Sequence, residues 1–178
     1  MRIAHPGNGS LIAMASNFEH SVSYPFSVAT LWTQLSNEQY WRDLIERTNA
    51  EHGSLVSFAH DGDRVTVTTK QGVGAENLPS VVTAVRPGDV EIPRTIEFVN
   101  SGATIIGQME ASVSGSPAKI HGDIMIMGDS ATADYHGNCA VNIPFVGGKI
   151  ERAIIDQVKH LLNAERDATV ELVQGTGQ

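Results

Sequence analysis

Residues 144–173 read PFVGGKIERAIIDQVKHLLNAERDATVELV, and this stretch decides how the rest of the chain is arranged. From Lys149 onward, apolar or small side chains recur at Ile150, Ile154, Val158, Leu161, Ala168 and Leu172, with Glu165 interrupting the stripe. The opposite side carries Glu151, Arg152, Asp156, Lys159, Asn163, Arg166 and Asp167, which reads as a solvated face. The spacing predicts one helix of roughly 35–40 Å at ~1.5 Å per residue. A stripe of that length must be covered by something large, and the only candidate is the run of strands before it. The reading is therefore an α+β fold in which a curved antiparallel sheet grips a C-terminal helix.

Composition narrows the function classes. At 178 residues the chain suits a single domain with a substantial core, and a hydrophobic content of 41% is ordinary for a soluble protein. A net charge of −8 disfavours nucleic acid and anionic membrane, both of which attract basic surfaces. No apolar run reaches membrane-spanning length, so integral membrane association is not expected. Cys139 is the single cysteine; it excludes an internal disulfide and suits a reducing cytoplasm, the expected location. Pro6, Gly7 and Gly9 break the apolar core that a signal peptide needs. Residues 1–15 are thus expected to be a disordered leader, with Met14 an alternative start. The folded domain is expected over 16–174, with a short disordered tail at 175–178. Nothing in the sequence specifies an oligomeric state.

Phe18, His20, Val22 and Tyr24 alternate with polar residues and predict a first strand that ends at Pro25. Ser27 is placed to cap a short helix reaching Leu35, and Ser36 with Gln39 has capping-box spacing for a second over 37–47. Trp32 and Trp41 both fall in this pair; they either pack against the sheet or line the entrance of a pocket. Two strands, 54–60 and 64–70, flank an Asp61-Gly62-Asp63 turn. The glycine-rich segment 71–77 reads as a loop, and 78–85 as a brief helix begun by Pro79. From Asp89 the pattern becomes a meander of four strands, 90–99, 103–113, 118–127 and 131–143, for seven strands in all.

Each meander turn proposes a register. A two-residue Ser101-Gly102 loop sets Phe98 opposite Ile105 and Arg94 opposite Met109. The loop 114–117 sets Met109 opposite Gly122 and Gly107 opposite Ile124. Gly128-Asp129 sets Gly122 opposite Tyr135 and Gly137 opposite Ile120. All three agree on one inner face, as the two-residue side-chain period requires. Ile96, Phe98, Ile105, Met109, Ile120, Ile124, Tyr135 and Cys139 share that face with Gly107, Gly122 and Gly137. Mid-strand glycines mark strong curvature and room for the helix, or else they leave a cavity between sheet and helix.

Few polar groups stand out. The register turns Arg94 inward with Glu165 as its counter-charge, unless a bulge at Pro93 flips it to the surface. His121 opposite His136, with Asp123 opposite Asp134, would form a constellation on the outer face; a solvated sheet explains it without a metal. Cys139, on the apolar face, is expected to be an inert thiol. Gln71-Gly72-Val73-Gly74 is no phosphate loop, and Gly147-Gly148-Lys149 lacks the full motif. No catalytic residue, metal site or cofactor is assigned.

The layout of strand, two helices, strands and long helix, with Asn142-Ile143-Pro144-Phe145-Val146-Gly147-Gly148-Lys149-Ile150-Glu151 at the joint, resembles an uncharacterised bacterial family of the START-like superfamily. That superfamily also includes polyketide cyclases and plant-allergen-type lipid carriers. The resemblance implies a helix-grip fold: a seven-stranded antiparallel sheet wrapped around the last helix, with an apolar cavity for a hydrophobic small molecule. The expected function is non-catalytic binding or transport of a lipid-, sterol- or polyketide-like molecule. The alternatives are a cyclase- or dehydratase-type enzyme, using Arg94, Tyr135 or His136 for proton transfer, and a scaffold with a filled core. The residues expected to line the cavity are Trp32, Trp41, Arg94, Ile96, Phe98, Ile105, Gly107, Met109, Gly122, Ile124, Tyr135, Gly137, Cys139, Ile154, Val158 and Leu161.

Overall fold

A computed structural model of the protein describes residues 15–85 and 87–175. The expected leader, apart from Ala15, and the tail beyond Gly175 lie outside those residues. In chain order the elements are β1 (Ser16–Ser23), α1 (Val28–Leu35), α2 (Glu38–Asn49), β2 (Ser54–Asp61) and β3 (Arg64–Val73). A 3₁₀ turn (Ala75–Asn77) and α3 (Ser80–Val85) follow, then β4 (Val90–Asn100), β5 (Ile105–Ser112), β6 (Ala118–Met127), β7 (Thr132–Val141) and the long α4 (Gly147–Gly175). Among the described residues the strands form one seven-stranded sheet in the order β1-β7-β6-β5-β4-β3-β2, antiparallel throughout. The N-terminal strand thus closes against the last one, and α4 lies across the sheet to make a helix-grip fold. Among the described residues no helix is long and apolar enough to cross a membrane.

Local chemistry explains the element boundaries. The Ser27 hydroxyl accepts from the Thr30 amide at 3.1 Å and starts α1. The cap of α2 is Asn37, whose side chain accepts from the Gln39 amide at 3.0 Å. Ser36, expected in that role, instead donates its hydroxyl to the Trp32 carbonyl at 2.7 Å and closes the end of α1. β3 runs to Val73, beyond the expected end at Lys70, because the buried alternation Val65, Val67, Thr69 continues into Gln71.

The β5–β6 register is the expected one, with Met109 opposite Gly122 and Gly107 opposite Ile124. The two outer connections are longer than expected. Residues 101–104 and 128–131 link their strands, with Gly102 and Gly128 in the left-handed region at φ 90° and 102°. Phe98 therefore faces Gly107 rather than Ile105, and Arg94 faces Ala111 rather than Met109. Likewise Gly122 faces Gly137, and Ile120 faces Cys139. Both slips are by two residues, an even number, so the inner face keeps its expected members. On the outer face the slip separates the expected pairs: His121 faces Asn138, Asp123 faces His136, and Met125 faces Asp134.

α4 packs chiefly on β1, β7 and α2. Its buried stripe is Ile150, Ile155, Leu162, Ala168 and Thr169, one step around the helix from the expected line through Ile154, Val158 and Leu161. Leaning toward the β1–β7 edge presses the first set into the core. The second set is left half-buried along the other flank. Glu151, expected in water, is buried: it accepts from the Ser16 hydroxyl at 2.7 Å and from the Val141 amide at 2.8 Å. One carboxylate thereby ties the start of β1 and the end of β7 to the first turns of α4.

Candidate functional site

Because α4 leans to one edge, part of the inner sheet surface is left uncovered. A cavity of about 310 Å³ opens there. Its floor is the inner face of β3 to β6, with Gln71, Ile92, Arg94, Met109 and Ile120. One wall is the half-buried flank of α4, with Ile154, Val158 and Leu161. Leu78, Pro79, Val82 and Val85, on α3 and the segment before it, form the cover. Val85, His160 and Ala164 border the cavity yet are exposed, so the mouth lies between α3 and α4.

Two of the polar side chains that border this space are buried, Arg94 and Gln71, each only 4% exposed, while Thr48, Asn49, Ser116 and Gln157 are half-buried and His160 is exposed. Arg94 points inward, as the register required. Its two terminal nitrogens donate to both carboxylate oxygens of Glu165, at 2.9 Å and 2.5 Å. Burial works against the guanidinium charge, but the carboxylate beside it more than compensates and raises the Arg94 pKa above its ordinary value. Among the described residues, the buried Arg94 Nε and Gln71 Nε2 have no hydrogen-bond partner.

Behind Arg94 and Met109 lies a second, much smaller void of about 30 Å³, bounded by Tyr24, Tyr40, Tyr135, Glu165 and Thr169 among others. The Tyr40 hydroxyl lies 2.7 Å from that of Thr169, which donates to the Glu165 carbonyl at 2.6 Å. Burial and the Glu165 charge raise the Tyr135 phenol well above its ordinary range, and burial does the same to Tyr24. These phenols stay protonated at neutral pH.

Of the residues expected to line a cavity, Arg94, Met109, Ile154, Val158 and Leu161 border the large one. Trp41, Ile96, Phe98 and Tyr135 border only the small void. The tryptophans form no entrance. Trp41 is buried, donates its indole N–H to the Leu35 carbonyl at 2.9 Å and stacks on Phe98. Trp32 meets His60 edge to face at 6.1 Å. Ile105, Ile124 and Cys139 are packed in the core, and burial together with the Glu151 carboxylate pushes the Cys139 thiol up to about 12.

The three glycines do not leave the space that was expected of them. A Cβ on Gly107 would lie 3.0 Å from Phe98 and 3.2 Å from Ile124. On Gly137 it would collide with the His121 carbonyl oxygen and sit 2.7 Å from Phe18. Gly122 has Met109 at 3.4 Å and Phe18 at 3.9 Å. Aromatic rings of β4 and β1 occupy the notch, which permits tight packing rather than a hollow. The hollow instead arises where small side chains, Ala111 and Ala118, meet the uncovered flank of α4. The sequence reading places Gln71 in a loop because Gly72 and Gly74 disguise the end of its strand; the alternation from Val65 onward is the signal that finds it.

Comparison with known proteins agrees with this architecture. An uncharacterised protein of Mycobacterium tuberculosis is 28% identical over 169 residues, spanning 88% of this chain and 95% of its own. Among solved structures, a START superfamily protein from Mycobacterium smegmatis is similar at 13% identity and a TM-score of 0.50, over 88% of this chain and 98% of its own. Norcoclaurine synthase from Thalictrum flavum, solved in complex with dopamine and hydroxybenzaldehyde, is similar at 16% identity and a TM-score of 0.54, over 100% and 98% of the two chains. These likenesses concern the fold, which is START-like. The profile described as "Protein of unknown function (DUF2505)" matches residues 19–173, and the chain belongs to that family.

Proposed function

We propose that the protein binds or carries a hydrophobic small molecule, without catalysing its conversion, in the cavity between β3–β6 and α4. The observation that carries this reading is the cavity itself: about 310 Å³, walled mainly by aliphatic side chains, bordered by the buried Arg94 and Gln71 and open at a rim. Burying a ligand there would yield roughly 25 cal/mol per Å² of apolar surface removed from water. The volume sits at the low end of the roughly 300–1,000 Å³ typical of small-molecule sites, which favours a compact polyketide- or sterol-fragment-like occupant over a two-chain lipid. Residues 16–174 would act as one unit, and the lone buried cysteine fits a cytoplasmic setting.

The enzyme reading draws on the norcoclaurine synthase likeness but finds little in the cavity to support it. Arg94 is engaged by Glu165, Tyr135 and Cys139 lie outside the cavity, and His160 stands only at its exposed rim. A filled-core scaffold fits poorly with an open volume of this size. Native mass spectrometry of the purified protein, with organic extraction of whatever co-purifies, tests the proposal. One defined apolar molecule per chain is the expected result. Absence of any such molecule, together with no uptake of the apolar fluorophore aminoanthracene, would overturn it.

A further inference from the structure

Two buried donors that border the cavity, the Gln71 Nε2 and the Arg94 Nε, have no partner among the described residues. A third unpartnered polar atom, the Thr69 hydroxyl, lies beside them. The β3–β4 register sets Thr69 opposite Arg94 and Gln71 opposite Ile92, so Gln71 and Arg94 are diagonal neighbours on the inner face. Native interiors rarely leave such groups unmet, because each was hydrogen-bonded to water before burial. All three can donate.

Charge decides what should meet them. Glu165 already takes the two terminal nitrogens of Arg94, so the pair is neutral as a whole. A ligand carboxylate would place a second anion against one guanidinium inside an apolar enclosure, and desolvating it would go uncompensated. A pure hydrocarbon would leave the donors unmet. A carbonyl oxygen has two lone pairs and no charge, and it satisfies both conditions. The rest of the lining is mainly aliphatic, as at Ile92, Ile154 and Val158, and its other polar side chains, Thr48, Asn49, Ser116, Gln157 and His160, are half-buried or exposed.

We propose that the occupant is a compact apolar molecule bearing one neutral carbonyl, a ketone, ester or amide, seated where Gln71 and Arg94 converge. This rests on the cavity being a ligand site. The test compares three probes of similar shape on the wild-type protein: benzophenone, diphenylmethane and diphenylacetate, each read by displacement of aminoanthracene. Benzophenone is expected to bind about tenfold tighter than diphenylmethane, with diphenylacetate weaker than benzophenone. In Gln71→Leu the ratio of ketone to hydrocarbon affinity falls toward one; the wild-type ratios need no variant to fold. Hydrocarbon binding as tight as ketone binding would sink the carbonyl assignment while leaving the cavity reading intact. Diphenylacetate binding tightest would equally reject a neutral acceptor. If no probe binds at all, the cavity reading falls and the carbonyl assignment with it.

Discussion

Arg94 and Glu165 lie 71 positions apart in the chain and meet in the interior as a two-pronged ion pair, Nη1 to Oε1 at 2.9 Å and Nη2 to Oε2 at 2.5 Å. The pair joins β4 to α4 and separates the large cavity from the small void behind it. Removing one partner leaves the other charged and buried, which costs about 3–5 kcal/mol. Glu165→Leu should therefore lower the urea midpoint sharply. The double variant Arg94→Met with Glu165→Leu should recover most of that loss, since both charges are gone. Equal loss in the single and double variants would contradict the pairing.

Gly137 and Gly122 face each other across β6 and β7 but should respond differently to a methyl group. In Gly137→Ala the new carbon meets a backbone carbonyl, which cannot move cheaply, and a loss of about 3 kcal/mol or more is expected. In Gly122→Ala it meets the flexible end of Met109, and the change should stay within about 1 kcal/mol. Chemical denaturation of both variants checks the contrast.

Ile154 projects from α4 into the large cavity without being part of the tightly packed stripe. Ile154→Trp should fill the space it borders, reducing aminoanthracene uptake at least about tenfold. The cost in stability should be no more than about 1–3 kcal/mol. Unchanged uptake in a folded variant would place the ligand elsewhere.

Cys139 is fully buried, and its thiol is pushed up to about 12 by burial and the Glu151 carboxylate. Iodoacetamide at pH 8 should leave the native protein unlabelled and label it in denaturant. The sign of the pH effect follows from the raised value. Below the unfolded thiol's pKa the contribution to stability is whole, and it is lost as pH climbs toward 12. The raised tyrosines Tyr24, Tyr40 and Tyr135 act in the same direction. Stability measured from pH 8 upward should fall steadily.

Phe145, in the joint before α4, is fully exposed and holds φ at 69°, a region that costs a bulky residue roughly 1–2 kcal/mol. Phe145→Asn should raise stability by about 0.5–1 kcal/mol, because the exposed ring contributes no packing. A loss of stability on thermal or urea unfolding would mean that the ring makes a contact it is not seen to make.

The fold was legible because its two periodicities are strong and mutually consistent. The inner face survived two wrong turn lengths, since a slip from Phe98–Ile105 to Phe98–Gly107 does not change parity. The inward Arg94 and its partner Glu165 were readable for the same reason. The site was less so. Nothing local to Gly122 or Gly137 announces that Phe18 of β1 will lie over them, because that contact depends on which strand closes against β7. The tilt of α4 toward that edge, which decides between Ile155 and Ile154 as the core residue, is set by the same non-local closure.

That closure also constrains how the molecule comes into being. Ser23 pairs with Thr132 and Ser16 with Cys139, so β1 has no neighbouring strand until β7, the last of the seven, emerges from the ribosome. At roughly 5–20 residues per second of synthesis, the wait is on the order of ten seconds. Through that interval β1 has no strand to pair with, and α4, one wall of the cavity, has not been made. The cavity is thus complete only once α4 has been made, and a chain cut short before that helix is expected to aggregate or be degraded rather than fold.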